Sequence, residues 1–309
     1  MNIASFFSGA GGMDLGFQNA GFNILWANEF DKNIWLTHKK NFSNTILEKR
    51  SITEIDSIDV PDVDGIIGGP PCQSWSIAGA KKGIKDKRGQ LFYDFIRILD
   101  EKQPKFFVAE NVAGMLSKRN ENALKNIIQL FNDIGYELSV TLVDAWDYNV
   151  PQNRKRVFFV GYRKDLKKKF LFPKKMKDKP VLKDALKNLP DLNNEYATGG
   201  FSSMYMSRNR VRSWEEPSFT IQASGRHAPL HPQAPKMELV SKDVRKFVEG
   251  KENLYRRLSV REAARIQTFP DNFEFLYENI ENGYKMVGNA VPVNLAYAIA
   301  KKIREDLYD

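Results

Sequence analysis

One thiol, one carboxyl group and a pair of arginines are the groups in this sequence best suited to act together on an electrophilic carbon. Cys72 is the only cysteine among 309 residues and sits in GGPPCQSWS. Gly68 and Gly69 allow close backbone approach, while Pro70 and Pro71 fix φ and stiffen the chain leading to the thiol. A buried structural cysteine is the commoner fate of this residue type. Here the Gly-Gly-Pro-Pro stretch on one side and Gln73 and Ser74 on the other argue for an exposed loop and a nucleophile. Glu110 closes the apolar run KFFVAENV, and QNRKR (152–156) supplies Arg154 and Arg156. Such a set suits attack on a heterocycle. The thiolate adds, the acid protonates or hydrogen-bonds a ring nitrogen, and a guanidinium holds an exocyclic oxygen. His38, His227 and His231 lie far from Cys72 in sequence and show no pairing signature, so a cysteine hydrolase has no support.

A second candidate site lies at the start. FFSGAGG places Gly9 and Gly11 between an apolar segment and DLGF, a glycine turn that can aim backbone N–H groups at a ligand. Glu29 ends the next apolar segment, 18 residues after Gly11, and could accept hydrogen bonds from ribose hydroxyls. A dinucleotide fingerprint would need glycine where Asp14 stands. An acid there would repel a pyrophosphate, so a phosphate-free adenosine ligand such as S-adenosylmethionine fits better. A plain glycine turn in an α/β protein is the alternative, and the segment taken alone favours the cofactor site over it.

These residues need elements to hold them. NIASFF, FNILWANEF, VDGIIGG, KFFVAENV, ELSVTLVDA and RVFFVGYR read as strands. DLGFQNAGF, GQLFYDFIRILDEKQ and ENALKNIIQLFNDIGY read as the helices between them. Alternation of this kind predicts an α/β fold with a parallel sheet covered on both faces. After about residue 165 the pattern breaks into Lys-, Pro-, Asn- and Gly-rich sequence, then returns in SVREAARIQTF and VNLAYAIAKKIREDL. The predicted division is 1–185 as a catalytic and cofactor-binding domain and 186–275 as a smaller, loop-rich domain. Residues 276–309 are expected to return to the first domain.

Charge sharpens the expected partner. The chain carries 47 Lys and Arg against 38 Asp and Glu, a net charge of +9. Residues 1–150 hold 16 basic and 19 acidic side chains, whereas 151–309 hold 31 and 19. Segregation of this kind suits a polyanion-binding face, although a run such as Lys167-Lys168-Lys169 reads equally well as a solvated surface. A lone cysteine excludes an internal disulfide and a Cys-cluster zinc site, and no metal is expected. Mean hydropathy is −0.47, and no apolar run approaches the ~20 residues of a membrane span. The first residues lack the basic-then-apolar pattern of a secretory leader. A cytoplasmic location is therefore expected.

Jointly the motifs resemble the DNA cytosine-5 methyltransferases: FSGAGG (7–12), Glu29, GPPCQSWS (69–76), ENV (110–112), QNRKR (152–156), RLSVREAARIQTFP (257–270) and GNAVP (288–292). MSRNRVRSWEEPSFTIQASGR (206–226), LHPQAP (230–235) and KFVEGKENLYRRL (246–258) are similar to the HaeIII-type subgroup, which acts on GGCC. The resemblance implies a Rossmann-like S-adenosylmethionine-dependent methyltransferase sheet with a target-recognition domain. It implies duplex DNA as partner and S-adenosyl-L-homocysteine as product. A bacterial or phage cell interior, a monomer, and a cognate restriction endonuclease encoded separately are further expectations of this kind.

Residue by residue, the resemblance makes Cys72 the nucleophile toward C6 of a flipped-out cytosine. It sets Glu110 on N3 and the exocyclic amine, Arg156 on O2, and Arg154 in the same catalytic group. Cofactor contacts would come from Phe7, Gly9, Gly11, Glu29, Phe30, Ile52, Pro70, Asn289 and Val291. Gln73, Ser76, Arg210, Arg212 and Arg226 would meet DNA, the arginines because bidentate Arg–guanine pairs are the commonest specific contact. SIAGAKKGIKDKRGQ (76–90) suits a mobile loop closing over the extruded base. One position departs from the family: Ser51 precedes Ile52 where an Asp is usual. Three other classes compete. They are a tRNA cytosine-5 methyltransferase with a related Pro-Pro-Cys core, disfavoured by the Arg-rich insert; a catalytically silent DNA-binding protein, disfavoured by the intact Cys72, Glu110 and Arg156; and a nicotinamide enzyme, disfavoured by Asp14.

Overall fold

The computed structural model describes residues 1–71, 87–189 and 195–308. The chain divides into two compact units: Met1–Val143, Lys155–Lys174 and Ala296–Asp309 form one, and Asp144–Arg154 and Lys175–Leu295 the other.

The first unit is built on β1 (Asn2–Phe6), β2 (Asn23–Asn28), β3 (Ile46–Glu48), β4 (Gly65–Gly68), β5 (Phe106–Val112), β6 (Tyr136–Asp144) and β7 (Lys155–Arg163). They form one sheet in the order β3-β2-β1-β4-β5-β7-β6. The first five strands run parallel, and their near-continuous apolar runs match a sheet buried on both faces. β7 is antiparallel to β5, which departs from the all-parallel expectation. The physical reason is the link: only residues 145–154 separate β6 from β7, without an α-helix, and a parallel crossover needs a dozen residues or more.

Helices α1 (Gly12–Asn19), α2 (Trp35–Asn41), α3 (Lys87–Lys102) and α4 (Glu121–Asp133) connect these strands. Ile127 and Phe131 lie four residues apart on one face of α4 and are both buried. The Phe131 ring stacks on Phe107 of β5 at 4.4 Å between centroids, while Phe92, Phe95 and Leu99 of α3 join the same core. Order reverses between β1 and β4, the arrangement that opens a ligand crevice at the carboxyl ends of strands.

The second unit has little regular structure: α5 (Leu182–Leu186), α6 (Ser203–Met206), the hairpin β8 (Glu238–Ser241) and β9 (Val244–Lys246), α7 (Val260–Ile266) and α8 (Ile280–Asn289). Tyr205, Val211, Leu230, Met237 and Tyr255 make a small core. Side chains satisfy the backbone where ladders do not. Arg257 donates to the carbonyls of Ala197, Gly199 and Gly200, with its guanidinium 4.2 Å from the Phe201 ring centroid. From the second unit α9 (Val293–Leu307) carries the chain on, and its residues from Ala296 belong to the first unit. Within that unit Arg304 donates to the carbonyl of Ala20, and Asp306 accepts from the Tyr162 hydroxyl.

Candidate active site

Strand register places the chemistry. Phe6, Asn28, Gly68 and Ala109 form one row across β2, β1, β4 and β5. One residue further along each strand come Phe7, Glu29, Gly69 and Glu110. Four separated sequence motifs thus converge on one edge of the sheet because its strands are parallel. Reversal of β7 brings Arg156 to the same edge, paired in register with Val112.

Arg156 Nε lies 2.8 Å from Oε1 of Glu110, and both side chains are largely shielded. Oε2 of Glu110 sits 3.6 Å from where a Cβ on Gly69 would lie, so the carboxylate overhangs that glycine. Asn111 Nδ2 donates to the Pro70 carbonyl at 2.9 Å, and its Oδ1 accepts from the Val112 N–H. Asn111 therefore ties the end of β5 to the backbone that leads toward the cysteine. In the sequence this residue stands out only as part of the ENV motif. Its role depends on a contact across 41 residues, although a buried amide at a strand end is the signal that could have drawn attention to it. Cys72, Gln73 and Ser76 lie outside the described residues.

The glycine loop leaves β1 through left-handed backbone at Phe7, Gly9 and Gly11, with φ of 53°, 56° and 88°. At Phe7 that conformation is strained, a feature concentrated at functional sites. A Cβ on Gly9 would meet nothing within 4 Å, so the space beside the loop is open. Glu29 accepts the N–H of Gly9 at 2.8 Å and that of Asp31 at 2.7 Å. Burial pushes its carboxyl above the usual carboxylate range, against the downward pull of those two N–H groups. Phe30 next to it is 70% exposed. A fixed carboxylate for a diol and a bare aromatic face fit a nucleoside with no phosphate.

Several expected residues stand elsewhere. Asp14 does not face the loop: it is buried, accepts from Ser5 Oγ at 2.5 Å and lies 3.2 Å from His38 Nε2. The preference for a phosphate-free ligand therefore rests on Glu29 rather than on Asp14. Ile52, expected as a cofactor contact, has a core side chain that is 1% exposed. Ser51 caps the short turn that follows, its Oγ 2.9 Å from Thr53 Oγ1. Arg154, expected in the catalytic group, is buried in the second unit, where it donates to the carbonyls of Ile221, Gly288 and Ala290. Its guanidinium holds backbone instead of offering donors to a substrate. In that unit Asn289 is exposed and Val291 buried. Arg210 donates to the carbonyls of Met204 and Tyr205, and Arg212 pairs with Glu216 at 3.0 Å. Arg226 is exposed on the turn after Ser224.

Among the described residues no group of His, Cys, Asp or Glu could hold a metal ion, and no helix is long and apolar enough to cross a membrane. Residues 1–305 match the family described as C-5 cytosine-specific DNA methylase. The chain is 56% identical to the type II methyltransferase M.FnuDI of Fusobacterium nucleatum, over 100% of this chain and 96% of that protein. It is 55% identical to the type II methyltransferase M.NgoPII of Neisseria gonorrhoeae, over 99% and 96%. The crystal structure of the S. pombe Dnmt2 methyltransferase shares the fold, with a TM-score of 0.74 at 16% identity and full coverage of both chains. The chain thus belongs to the C-5 cytosine-specific DNA methylase family.

Proposed function

We propose that the protein transfers the methyl group of S-adenosylmethionine to C5 of a cytosine turned out of duplex DNA, leaving S-adenosyl-L-homocysteine. The target read from the resemblance is the inner cytosine of GGCC, and the role is the modification half of a type II restriction-modification system. The observation that carries the reading is the Glu110–Arg156 pair, with Glu110 overhanging Gly69, three residues before Cys72.

A stacked cytosine hides C6, so the base must leave the duplex before a side chain can reach it. Glu110 then meets N3 and the exocyclic amine, and Arg156 meets O2. Electron withdrawal at these positions lets the Cys72 thiolate form a bond to C6, which makes C5 nucleophilic. C5 takes the methyl group from the sulfonium of the cofactor. Loss of the C5 proton then expels the thiolate and restores the aromatic ring. Phe7, Gly9, Gly11, Glu29, Phe30 and Pro70 would hold the adenosine portion, and the resemblance also gives Asn289 and Val291 as cofactor contacts. In this scheme residues 1–185 and 276–309 serve catalysis and cofactor, and 186–275 serve target reading. The protein would act as a monomer in the cell interior, beside a separately encoded nuclease.

A duplex carrying 5-fluorocytosine at the inner position of GGCC tests the reading, because fluorine at C5 cannot leave as a proton does. A denaturation-resistant protein–DNA adduct that needs S-adenosylmethionine, and that Cys72→Ser lacks, is the expected result. Absence of an adduct with the unaltered protein would overturn the mechanism. Bisulfite sequencing of DNA from cells expressing the protein would identify the methylated sequence.

A further inference from the structure

Gln152, Arg154 and Gln267 form a buried polar cluster in the second unit that the chemistry above does not use. Arg154 Nη1 donates to the Ile221 carbonyl at 2.9 Å, while Nη2 donates to the carbonyls of Gly288 and Ala290 at 2.8 and 3.0 Å. Gln152 Oε1 accepts the Ile221 N–H at 2.9 Å, and its Nε2 donates to Gln267 Oε1 at 2.7 Å. Gln267 Nε2 in turn donates to the carbonyls of Val287 and Ala290 at 2.8 and 3.0 Å. Both polar groups of Ile221 and three carbonyls of 287–290 are therefore held by one cluster.

Two further contacts join the same segments. A Cβ on Gly288 would stand 2.3 Å from the carbonyl carbon of Gln222, so these backbones touch directly. At the other end of α8, Glu281 accepts from the Gly225 N–H at 3.1 Å and the Ser224 Oγ at 3.3 Å. One helix thus grips the 222–225 backbone at both its ends, immediately before Arg226. A guanidinium buried against carbonyls is costly to desolvate, and apolar packing would serve stability as well. What the polar cluster adds is direction, since it fixes how two peptide segments face each other.

We infer that Gln152, Arg154, Gln267 and Glu281 are positioning residues that make the 221–226 and 287–291 segments move as one body. Target engagement and cofactor binding are thereby coupled. The inference rests on the proposed roles of Arg226 toward DNA and of Asn289 and Val291 toward the cofactor. Coupling between two ligands is reciprocal, so it can be read from either.

Calorimetric titration of S-adenosyl-L-homocysteine, with and without a GGCC duplex, measures it without turnover. The unaltered protein is expected to bind the nucleoside ~5-fold or more tightly with the duplex present. In Gln152→Leu and Glu281→Ala that ratio should fall toward one, while binding without DNA changes little. Gln152→Asn replaces the leucine variant if the latter does not fold. Arg154→Lys should keep part of the ratio that Arg154→Met loses. An unchanged ratio in the folded variants, or equal weakening with and without DNA, would overturn the coupling and leave a structural role alone. A ratio of one in the unaltered protein would overturn it too. Failure of that protein to bind S-adenosyl-L-homocysteine at all would instead sink the functional reading, and the coupling with it.

Discussion

Glu110 and Arg156 stand two register positions apart on neighbouring antiparallel strands, and the diagonal brings Nε within 2.8 Å of Oε1. At that diagonal long side chains can still meet across a ladder. Each holds the other in place before any substrate arrives, so removal of either leaves its partner without its ion pair. Glu110→Gln is expected to lower the single-turnover rate of methyl transfer by ~10²–10⁴-fold, the usual worth of a positioned acid. Arg156→Lys, which keeps the charge and loses the planar donor set, should fall short of wild type as well. Rates from tritiated S-adenosylmethionine at saturating DNA would measure both.

Glu29 gives a pH dependence with a definite sign. Its folded value is raised, so its ionisation opposes folding: stability is fully present below the ordinary 4.5 and lost as pH rises through the raised value. Ligand binding runs the other way, because the ionised carboxylate is the better acceptor for a diol. Affinity for S-adenosylmethionine should fall on acidification with a midpoint above 4.5. Glu29→Gln should flatten that limb and weaken binding at neutral pH by ~1.5–3 kcal/mol, as for a hydrogen bond to a charged group. Calorimetry between pH 5 and about 8 would show whether the limb disappears.

Arg226 separates from the other recognition arginines by its surroundings. Arg210 and Arg212 already spend donors on Met204, Tyr205 and Glu216, whereas Arg226 is exposed. Arg226→Ala is expected to cost ~1–3 kcal/mol on the cognate duplex and to relax discrimination at one position. Equal loss of affinity on all sequences would make it a phosphate contact instead.

Glu262 closes the first turn of α7 and takes two hydrogen bonds from Arg256, each 2.7 Å, besides the Ser259 N–H. Burial works to raise its carboxyl pKa, but Arg256 and Ser259 outweigh burial and hold it below 4.5. Its contribution is therefore present above the unfolded value and lost as pH falls through the lowered folded one. Glu262→Gln should destabilise the second unit by ~1.5–3 kcal/mol at neutral pH, because half-buried Arg256 would lose its charged hydrogen-bond partner. Hydrogen exchange of the α7 amides, repeated at acid pH where the difference should shrink, would check it.

Much of the first unit is legible from apolar runs followed by a polar residue, as in KFFVAENV ending at Glu110 or FNILWANEF ending near Glu29. Parallel strands then do the converging, so positions of separate motifs could be inferred without knowing a contact. What stayed hidden depended on partners far away. Asp14 looks like an exposed acid until Ser5 and His38 are seen against it. Arg154 looks catalytic beside Arg156, yet its carbonyl partners lie 67 to 136 residues onward. Helix α8 is not legible in the sequence because Gly283 and Gly288 are poor helix formers, and buried Tyr284, Met286 and Val287 hold it in place.

The chain passes between the two units four times, at residues 143, 154, 174 and 295. Neither unit is thus a continuous stretch that could fold behind an advancing ribosome. Ala20 at the end of α1 waits for Arg304, and Tyr162 of β7 waits for Asp306. The sheet that carries Glu29 and Glu110 is synthesised by residue 163 but gains α9 only after the rest of the second unit has followed. Folding of this enzyme should be largely post-translational, with a partly covered sheet as the species most exposed to aggregation on the way.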